Sequence, residues 1–320
     1  MNRRSEVLSI GEICVEIKRE TKGLPLNIAG IFKGPYPSGA PAIFIDTVAN
    51  LGHRGSIIGG VGEDEFGENC LFRLKKDNVD VSGVKINRGL STAVAFITYD
   101  EDGSRRFIFY FRGSAAAAIG NLKQEELMHI KIVHIMGCSL MIDKKLADKI
   151  ILYTTKVKQY GGKVSFDPNV RPELMTEEYI RQSIKNITDM AEIILLGVKE
   201  LEIITGSKDI DEGINNLFCK NTEIVVLKEG AKGCRIYSKY INDPIQINSF
   251  NITEVDPTGS GDSFDAGFIC GLIEGKELKE CGILANACGA LNATRFGPME
   301  GVFKRDEVEK FILENLSYLY

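Results

Sequence analysis

The stretch DPTGSGDSFDAGF, residues 256–268, places an acid directly after a glycine turn and directly before an apolar, helix-patterned run. Gly259 and Gly261 flank Ser260, so the chain can turn sharply and aim backbone N–H groups at one point. The positive end of the following helix dipole points there as well. Such a point attracts an anion, and phosphate is the natural candidate. Asp262 complicates the picture, because a carboxylate repels a phosphate already resting beside it. The conflict disappears if the acid takes a proton from a group about to attack the phosphorus. A plain tight turn followed by a capping acid is the other reading of the same spacing, and the Thr258 hydroxyl, a candidate N-cap, suits both.

Better-known phosphate loops do not fit. A G-x-x-x-x-G-K-[ST] loop needs Lys after its second glycine, and here Asp262 and Ser263 follow Gly261. The dinucleotide fingerprint needs a third glycine where Phe264 stands, and it normally opens an early βαβ unit. This loop lies late in the chain.

The elements that must position the loop read as an α/β pattern. EVLSIGEICVEI begins as a strand, IFIDTVANLG is a helix stopped by Gly52, GSIIGGVG a strand and FGENCLFRLKKDN a helix. After the midpoint KIVHIMG, GKVSFD, AEIILLG and EIVVLKEG are short strands, apolar on both faces and mostly separated by helical patterns. That combination predicts a mostly parallel sheet covered by helices on both faces. TAVAFITYDEDGSRRFIFYF breaks the scheme as two β-rich runs joined by Asp-Glu-Asp-Gly, a hairpin signal. It is expected to form an antiparallel lid, with Val94, Phe96, Phe107 and Phe109 making one apolar face that packs on the core, on other lid strands or on a second copy. The expectation is a single domain over residues 1–320, with a lid from about 12–35 and 91–113.

Composition bounds the function. The chain has 320 residues, 44% hydrophobic and 26% charged, and a net charge of -5, which argues against a nucleic-acid partner held by bulk electrostatics. A bound phosphate must then be held by local geometry. The N-terminal stretch is too polar for a signal peptide and no apolar run suffices to cross a membrane, so the expected location is cytoplasmic. Eight scattered cysteines form no C-x-x-C pair, and the three histidines do not cluster with them. A zinc site, a disulfide framework and a Cys–His nucleophile are all disfavoured.

DPTGSGDSFDAGF resembles the late signature D-T-x-G-A/S-G-D-x-F-x-A-G-F of the PfkB, or ribokinase-like, carbohydrate kinases, departing at Pro257. GGVGEDEFGE, SFDPNVRPEL and KELEIITG resemble, in order, three further elements of that family, so the likeness spans essentially the whole chain. It implies a ribokinase-like fold and an ATP- and Mg²⁺-dependent sugar kinase. Asp262 would be the catalytic base, deprotonating a sugar hydroxyl as it attacks the γ-phosphorus, and the N–H groups of Gly259, Ser260 and Gly261 would form the anion hole.

The resemblance implies lesser roles elsewhere. Glu200 would act on Mg²⁺ through water, although Gly197 replaces the family's asparagine beside it. Lys228, Gly230 and Asn286 fall where the nucleotide is held; Gly230 and Gly233 also suit a plain hairpin, and Asn286 also suits helix packing. Asp256 and Thr258 match positions that help bind a monovalent cation such as K⁺. Glu16, Gly39, Ala40, Arg112, Asn169 and Arg171 would meet the sugar or the transferred phosphate, while Tyr110 and Phe111 suit lid packing. Ser38 and Ile43 replace a glycine and an asparagine of the family's G-G-A-P-A-N turn.

GPYPSGAPAIFID looks most like ketohexose kinases that handle tagatose or fructose. Arg112 would also suit the carboxylate of 2-keto-3-deoxygluconate, which ranks second, and a nucleoside ranks third. A dinucleotide- or methyl-donor-dependent enzyme and a non-catalytic sugar sensor are the readings from other classes; the missing third glycine opposes the first and the intact G-S-G-D the second. The lid hairpin, Thr92 to Phe111, is expected to close over the sugar and to pair two subunits.

Overall fold

The computed structural model describes residues 4–101, 104–170, 175 and 177–315. The first half contains β1 (Val7–Ile10), β2 (Cys14–Arg19), β3 (Phe32–Ser38), α1 (Ala40–Asn50), β4 (Gly55–Gly62), α2 (Glu65–Lys76), β5 (Val84–Asn87), β6 (Ala93–Tyr99) and β7 (Arg105–Tyr110). Next come α3 (Gln124–Leu127), β8 (Ile132–Met136), α4 (Lys144–Gln159), β9 (Lys163–Asp167), α5 (Glu178–Met190), β10 (Ile193–Gly197), α6 (Val198–Thr205) and α7 (Ile210–Phe218). The chain continues through β11 (Ile224–Lys228), β12 (Cys234–Ser238), β13 (Ile241–Ile247), α8 (Ser260–Ile273), α9 (Leu278–Ala293) and α10 (Arg305–Glu314).

Nine strands form the main sheet in the order β13-β12-β11-β10-β9-β8-β1-β4-β5. All neighbours from β11 to β5 run parallel, and β12 and β13 add an antiparallel edge. Alternation along each strand explains the double covering. On β10, Ile193 and Leu195 join the core that includes Phe264, Phe268 and Leu284 of α8 and α9. Ile194 and Leu196 join the opposite core with Ile150 of α4 and Ile184 of α5. The apolar strands of the second half therefore serve two cores at once.

A second sheet, β3-β2-β6-β7, forms the lid. The hairpin β6–β7 is antiparallel as expected, and β2 joins it in parallel to β6, because the chain crosses through the main sheet between them. The hairpin register also splits the apolar face expected of it. Ala95 lies opposite Phe109 and Phe96 opposite Ile108. Phe107 and Phe109 consequently face the site below, whereas Val94 and Phe96 share the outer face with Ile108 and Tyr110. Period-2 alternation forces this once the hairpin register is set.

No helix among the described residues is long and apolar enough to cross a membrane.

Candidate active site

The site lies outside the carboxyl ends of the parallel strands, where open α/β sheets usually take ligands. Asp167 ends β9, Gly197 ends β10 and Lys228 ends β11. The glycine loop and α8 close over these ends.

Gly259 is the helix N-cap, at φ 85° and ψ -9°. A Cβ there would stand 2.3 Å from the Pro298 carbonyl oxygen and 2.7 Å from Asn292 Nδ2, so conformation and space both demand glycine. The expected N-cap, Thr258, is displaced by one residue, and its hydroxyl lies 3.1 Å from the Tyr99 hydroxyl. The Ser260 N–H donates to the Pro257 carbonyl at 3.3 Å, inside the turn. Gly261 opens onto the site: a Cβ there would find only Lys228 Nζ, at 3.8 Å. Asp262 is buried on the first turn of α8 and accepts from Asn169 Nδ2 at 3.3 Å.

Asn169 reaches Asp262 because the strand end turns back on itself. Its backbone is left-handed, φ 39°, and its N–H donates to the Asp167 carboxylate at 2.9 Å. Asparagine tolerates that conformation better than most residues, and the preceding Asp-Pro pair favours the turn. Arg171 lies outside the described residues.

Two cavities meet at the loop. The first, about 240 Å³, is lined by Glu12, Glu16, Gly39, Ala40, Asn169 and Asp262, among others. Arg105, Phe107 and Phe109 of the lid roof it, Phe111 joins them, and Ile43 supplies an apolar wall. The second, about 520 Å³, contains Gly230, Gly233, Ser260, Phe264 and Asn286. Lys228, Pro257 and Gly261 border both.

In the first cavity Gly39 holds φ 112°, and a Cβ would stand 2.5 Å from the Glu12 carbonyl oxygen, so the α1 start needs glycine. Ser38 donates to Glu16 Oε1 at 2.7 Å, which gives this departure from the family turn a purpose: it orients the acid. Lys18 Nζ approaches the other oxygen of Glu16 to 3.1 Å. Arg112 is not in this cavity. It pairs with Glu177 at 2.7 Å on the exposed surface, its side chain 62% exposed. Arg105 occupies the cavity instead and donates to the Thr258 hydroxyl at 3.4 Å. In the second cavity Gly230 and Gly233 form the β11–β12 hairpin turn and also line the wall. The Asn286 amide donates to the Ile247 and Asn248 carbonyls, holding the wall together.

Buried charges surround the loop. Lys228 Nζ pairs with Asp167 at 2.8 Å and Asp265 at 3.1 Å. Burial opposes its charge, but Asp167 and Asp265 hold its pKa above the ordinary lysine range. Burial also drives the Asp265 carboxyl well up, against Lys228, and raises Glu200, with Asp167 adding repulsion. Glu200 accepts from the Gly197 and Val170 N–H groups at 2.7 and 2.9 Å. Beneath them His134 stacks on Phe44 at 4.0 Å between ring centroids, and burial pushes its pKa down to about 3.

Asp256 is fully buried and saturated. Its oxygens accept from Lys18 Nζ and the Tyr99 hydroxyl, each at 2.6 Å, and from the Thr258 and Gly297 N–H groups at 3.0 Å. The monovalent cation implied at Asp256 and Thr258 does not fit this donor set, because a lysine ammonium already stands there.

Sequence reasoning missed Glu12, Lys18, Tyr99, Arg105, Asp167 and Asp265 as site residues. Two had a signal. Asp265 follows Asp262 by three on a helix, and Lys18 follows Glu16 by two on a strand, so each shares a face with a chosen residue.

Residues 4–304 match the model of the pfkB family of carbohydrate kinases. "Probable fructokinase-4" of Arabidopsis thaliana is 31% identical, covering 98% of each chain, and fructokinase-2 of Solanum habrochaites is 32% identical, covering 91% of each. An E. coli crystal structure, "a putative Ribokinase II in complex with ATP and Mg+2", superposes with a TM-score of 0.91 at 36% identity, over 97% of this chain and 100% of that one. Its ribokinase-like fold is the one described above. Extent of match, shared fold and a glycine loop with a buried acid at the sheet's carboxyl edge agree: the chain belongs to the pfkB family of carbohydrate kinases.

Proposed function

We propose that this chain is an ATP-dependent ketohexose kinase that phosphorylates a hydroxyl of fructose or tagatose. The observation that carries the reading is the meeting of two unlike cavities at one glycine loop, with Asp262 on the loop's helix. The smaller cavity carries the acids Glu12 and Glu16, suited to sugar hydroxyls; the larger is more apolar, suited to a nucleotide base. Fructokinases among the relatives support the ketohexose.

In this reading Asp262 takes the proton of the attacking hydroxyl, held in place by Asn169. The N–H groups at the start of α8 meet charge developing on the transferred phosphoryl group, the Gly261 N–H foremost because Ser260 donates within the turn. Lys228, at the junction, neutralises phosphate oxygens, and Gly230 and Asn286 shape the nucleotide wall.

Among the described residues no group of three or more acids, histidines or cysteines could hold a metal by itself. The donors fit a Mg²⁺ carried by ATP, with Glu200 engaged through water. That ion would supply charge neutralisation on the phosphates.

The outer lid face, with Ile108 44% and Tyr110 61% exposed, is proposed to pair with a second copy of this chain. A second substrate reading, 2-keto-3-deoxygluconate, is favoured by Arg105, which offers a guanidinium inside the cavity.

An ADP-release assay with Mg-ATP across fructose, tagatose, 2-keto-3-deoxygluconate and adenosine tests this. A ketohexose is expected to exceed the others by about tenfold or more in kcat/KM, with activity lost in EDTA. Turnover on the acid sugar alone would transfer the assignment to the second reading, and full activity without divalent metal would overturn the kinase.

A further inference from the structure

Lys18 is an unusual residue to find sealed inside a protein. Its side chain is completely buried, and it comes from the lid strand β2 rather than from the main sheet. An ammonium has three donors to satisfy. Here it hydrogen-bonds Asp256 Oδ2 at 2.6 Å and the Tyr99 hydroxyl at 3.2 Å, and its ion-pair partner Glu16 lies at 3.1 Å. Tyr99 and Phe296 turn their rings toward it, at 5.9 and 5.6 Å to the centroids. The cage is complete, built of two carboxylates, a phenol and aromatic faces.

Asp256 is the hub from which this charge reaches the loop. One of its oxygens holds the Thr258 N–H, and the Thr258 carbonyl accepts from Asn292 Nδ2 at 2.9 Å. The other holds the Gly297 N–H. These bonds set the backbone immediately before Gly259, whose left-handed turn begins α8. A carboxylate has about four acceptor positions, and protein donors fill all of them at Asp256. Remove the ammonium and a buried anion is left uncompensated at the base of the loop, a state that would draw in a cation from solvent.

We infer that the Lys18 ammonium takes the place of a monovalent cation at Asp256, so that the glycine loop is organised by a residue of the lid and the protein needs no K⁺. Lys18 is thus a positioning residue: it acts on phosphoryl transfer through Asp256 and, on its other side, orients Glu16 in the sugar cavity. The activity part of the inference rests on the kinase reading above; the cation part does not.

The test uses the full chain in choline chloride, exchanged stepwise for KCl at constant ionic strength. Two quantities are followed: the thermal midpoint without ligands, and turnover of Mg-ATP with fructose and with tagatose. In the unsubstituted protein the midpoint should stay within about 1 °C and turnover within about twofold, because no cation binds the folded state preferentially. In Lys18→Met both should start lower, and KCl should raise turnover by about tenfold or more and the midpoint by about 3 °C or more, saturably. About tenfold K⁺ activation of the unsubstituted protein would overturn the inference without any variant. So would a Lys18→Met protein that loses stability or turnover and recovers neither in KCl, which would reduce Lys18 to a packing contact. If neither sugar is phosphorylated the substrate reading falls, while the midpoint titration still decides the role of Lys18.

Discussion

Two lysines serve the same glycine loop in different ways. Lys18 meets Asp256 before the loop, Lys228 meets Asp265 after it, and each stands between two carboxylates. Lys18 is sealed, with no exposed side chain, whereas the Lys228 side chain is 18% exposed and borders both cavities. The partners differ as well. Lys228 and Asp167 end strands of one sheet, so the parallel topology by itself brings their heads together. Lys18 reaches across 238 residues of sequence from a second sheet, so its pair exists only when the lid is docked. One charge is built into the sheet edge and opens onto both cavities; the other is enclosed and holds the backbone that leads into the glycine loop.

The largest effect should come from removing the group between the two clusters. Asp262→Asn should lower turnover by about 10²–10⁴-fold while nucleotide affinity, measured by calorimetry, changes little. Retention of more than about a tenth of turnover would show that Asp262 is not the base.

Breaking the open cluster comes next. Lys228→Met leaves Asp167 and Asp265 facing each other without a cation, and should cost about 3 kcal/mol in denaturant unfolding, the low end for a buried pair because water reaches Lys228. Asp265→Asn added to it should return a good part of that. A double variant no more stable than the single one would mean that the repulsion is not what destabilises it.

A pH titration sharpens the contrast further. His134 lies beneath the open cluster, with Nε2 3.8 Å from Asp265, and is held neutral. Its folded pKa of about 3 lies below the ordinary 6.5, so the unfolded chain binds the extra proton first. Its contribution to stability is therefore present above pH 6.5 and lost as pH falls towards 3, by up to about 1.4 kcal/mol per pH unit. His134→Gln should flatten unfolding free energy over that window; an unchanged slope would assign the loss to the carboxylates.

The smallest effect separates two arginines of the lid. Arg112→Ala should leave sugar KM within about twofold and cost less than about 1 kcal/mol, as expected of an exposed pair. Arg105→Ala, inside the cavity, should raise KM. The reverse result would mean that the lid rearranges when sugar binds.

Much of this was legible in the residues. The alternation of apolar strands and helical patterns predicts the covered parallel sheet, because burial on both faces leaves no room for polar positions. The β-rich runs around Asp-Glu-Asp-Gly mark the hairpin, although Asp102 and Gly103 lie outside the described residues. DPTGSGDSFDAGF marks the loop through its resemblance to the family signature, since the glycine spacing alone also suits a plain tight turn. The D-P-N likeness points to Asn169, and the left-handed backbone there suits asparagine.

Other features depended on how the chain packs. Alternation tells which residues of β7 share a face but not which face looks inward; the resemblance points to Arg112, just beyond β7, whereas Arg105 stands in the cavity. The same gap put Val94 and Phe96 on one surface with Phe107 and Phe109, from which the register separates them. Lys18 is the clearest case. Its spacing from Glu16 places it on that residue's face of the strand, but nothing in EICVEIKRE marks it for burial, which is costly for a lysine without partners. Tyr99 becomes a partner through the pairing of β2 with β6 within the lid, and Asp256 only when the lid docks on the loop before α8, far away in sequence. Local pattern carries periodicity, turns and the loop's chemistry because these depend on neighbours in the chain; the pairing of buried charges depends on neighbours in space, and folding alone supplies them.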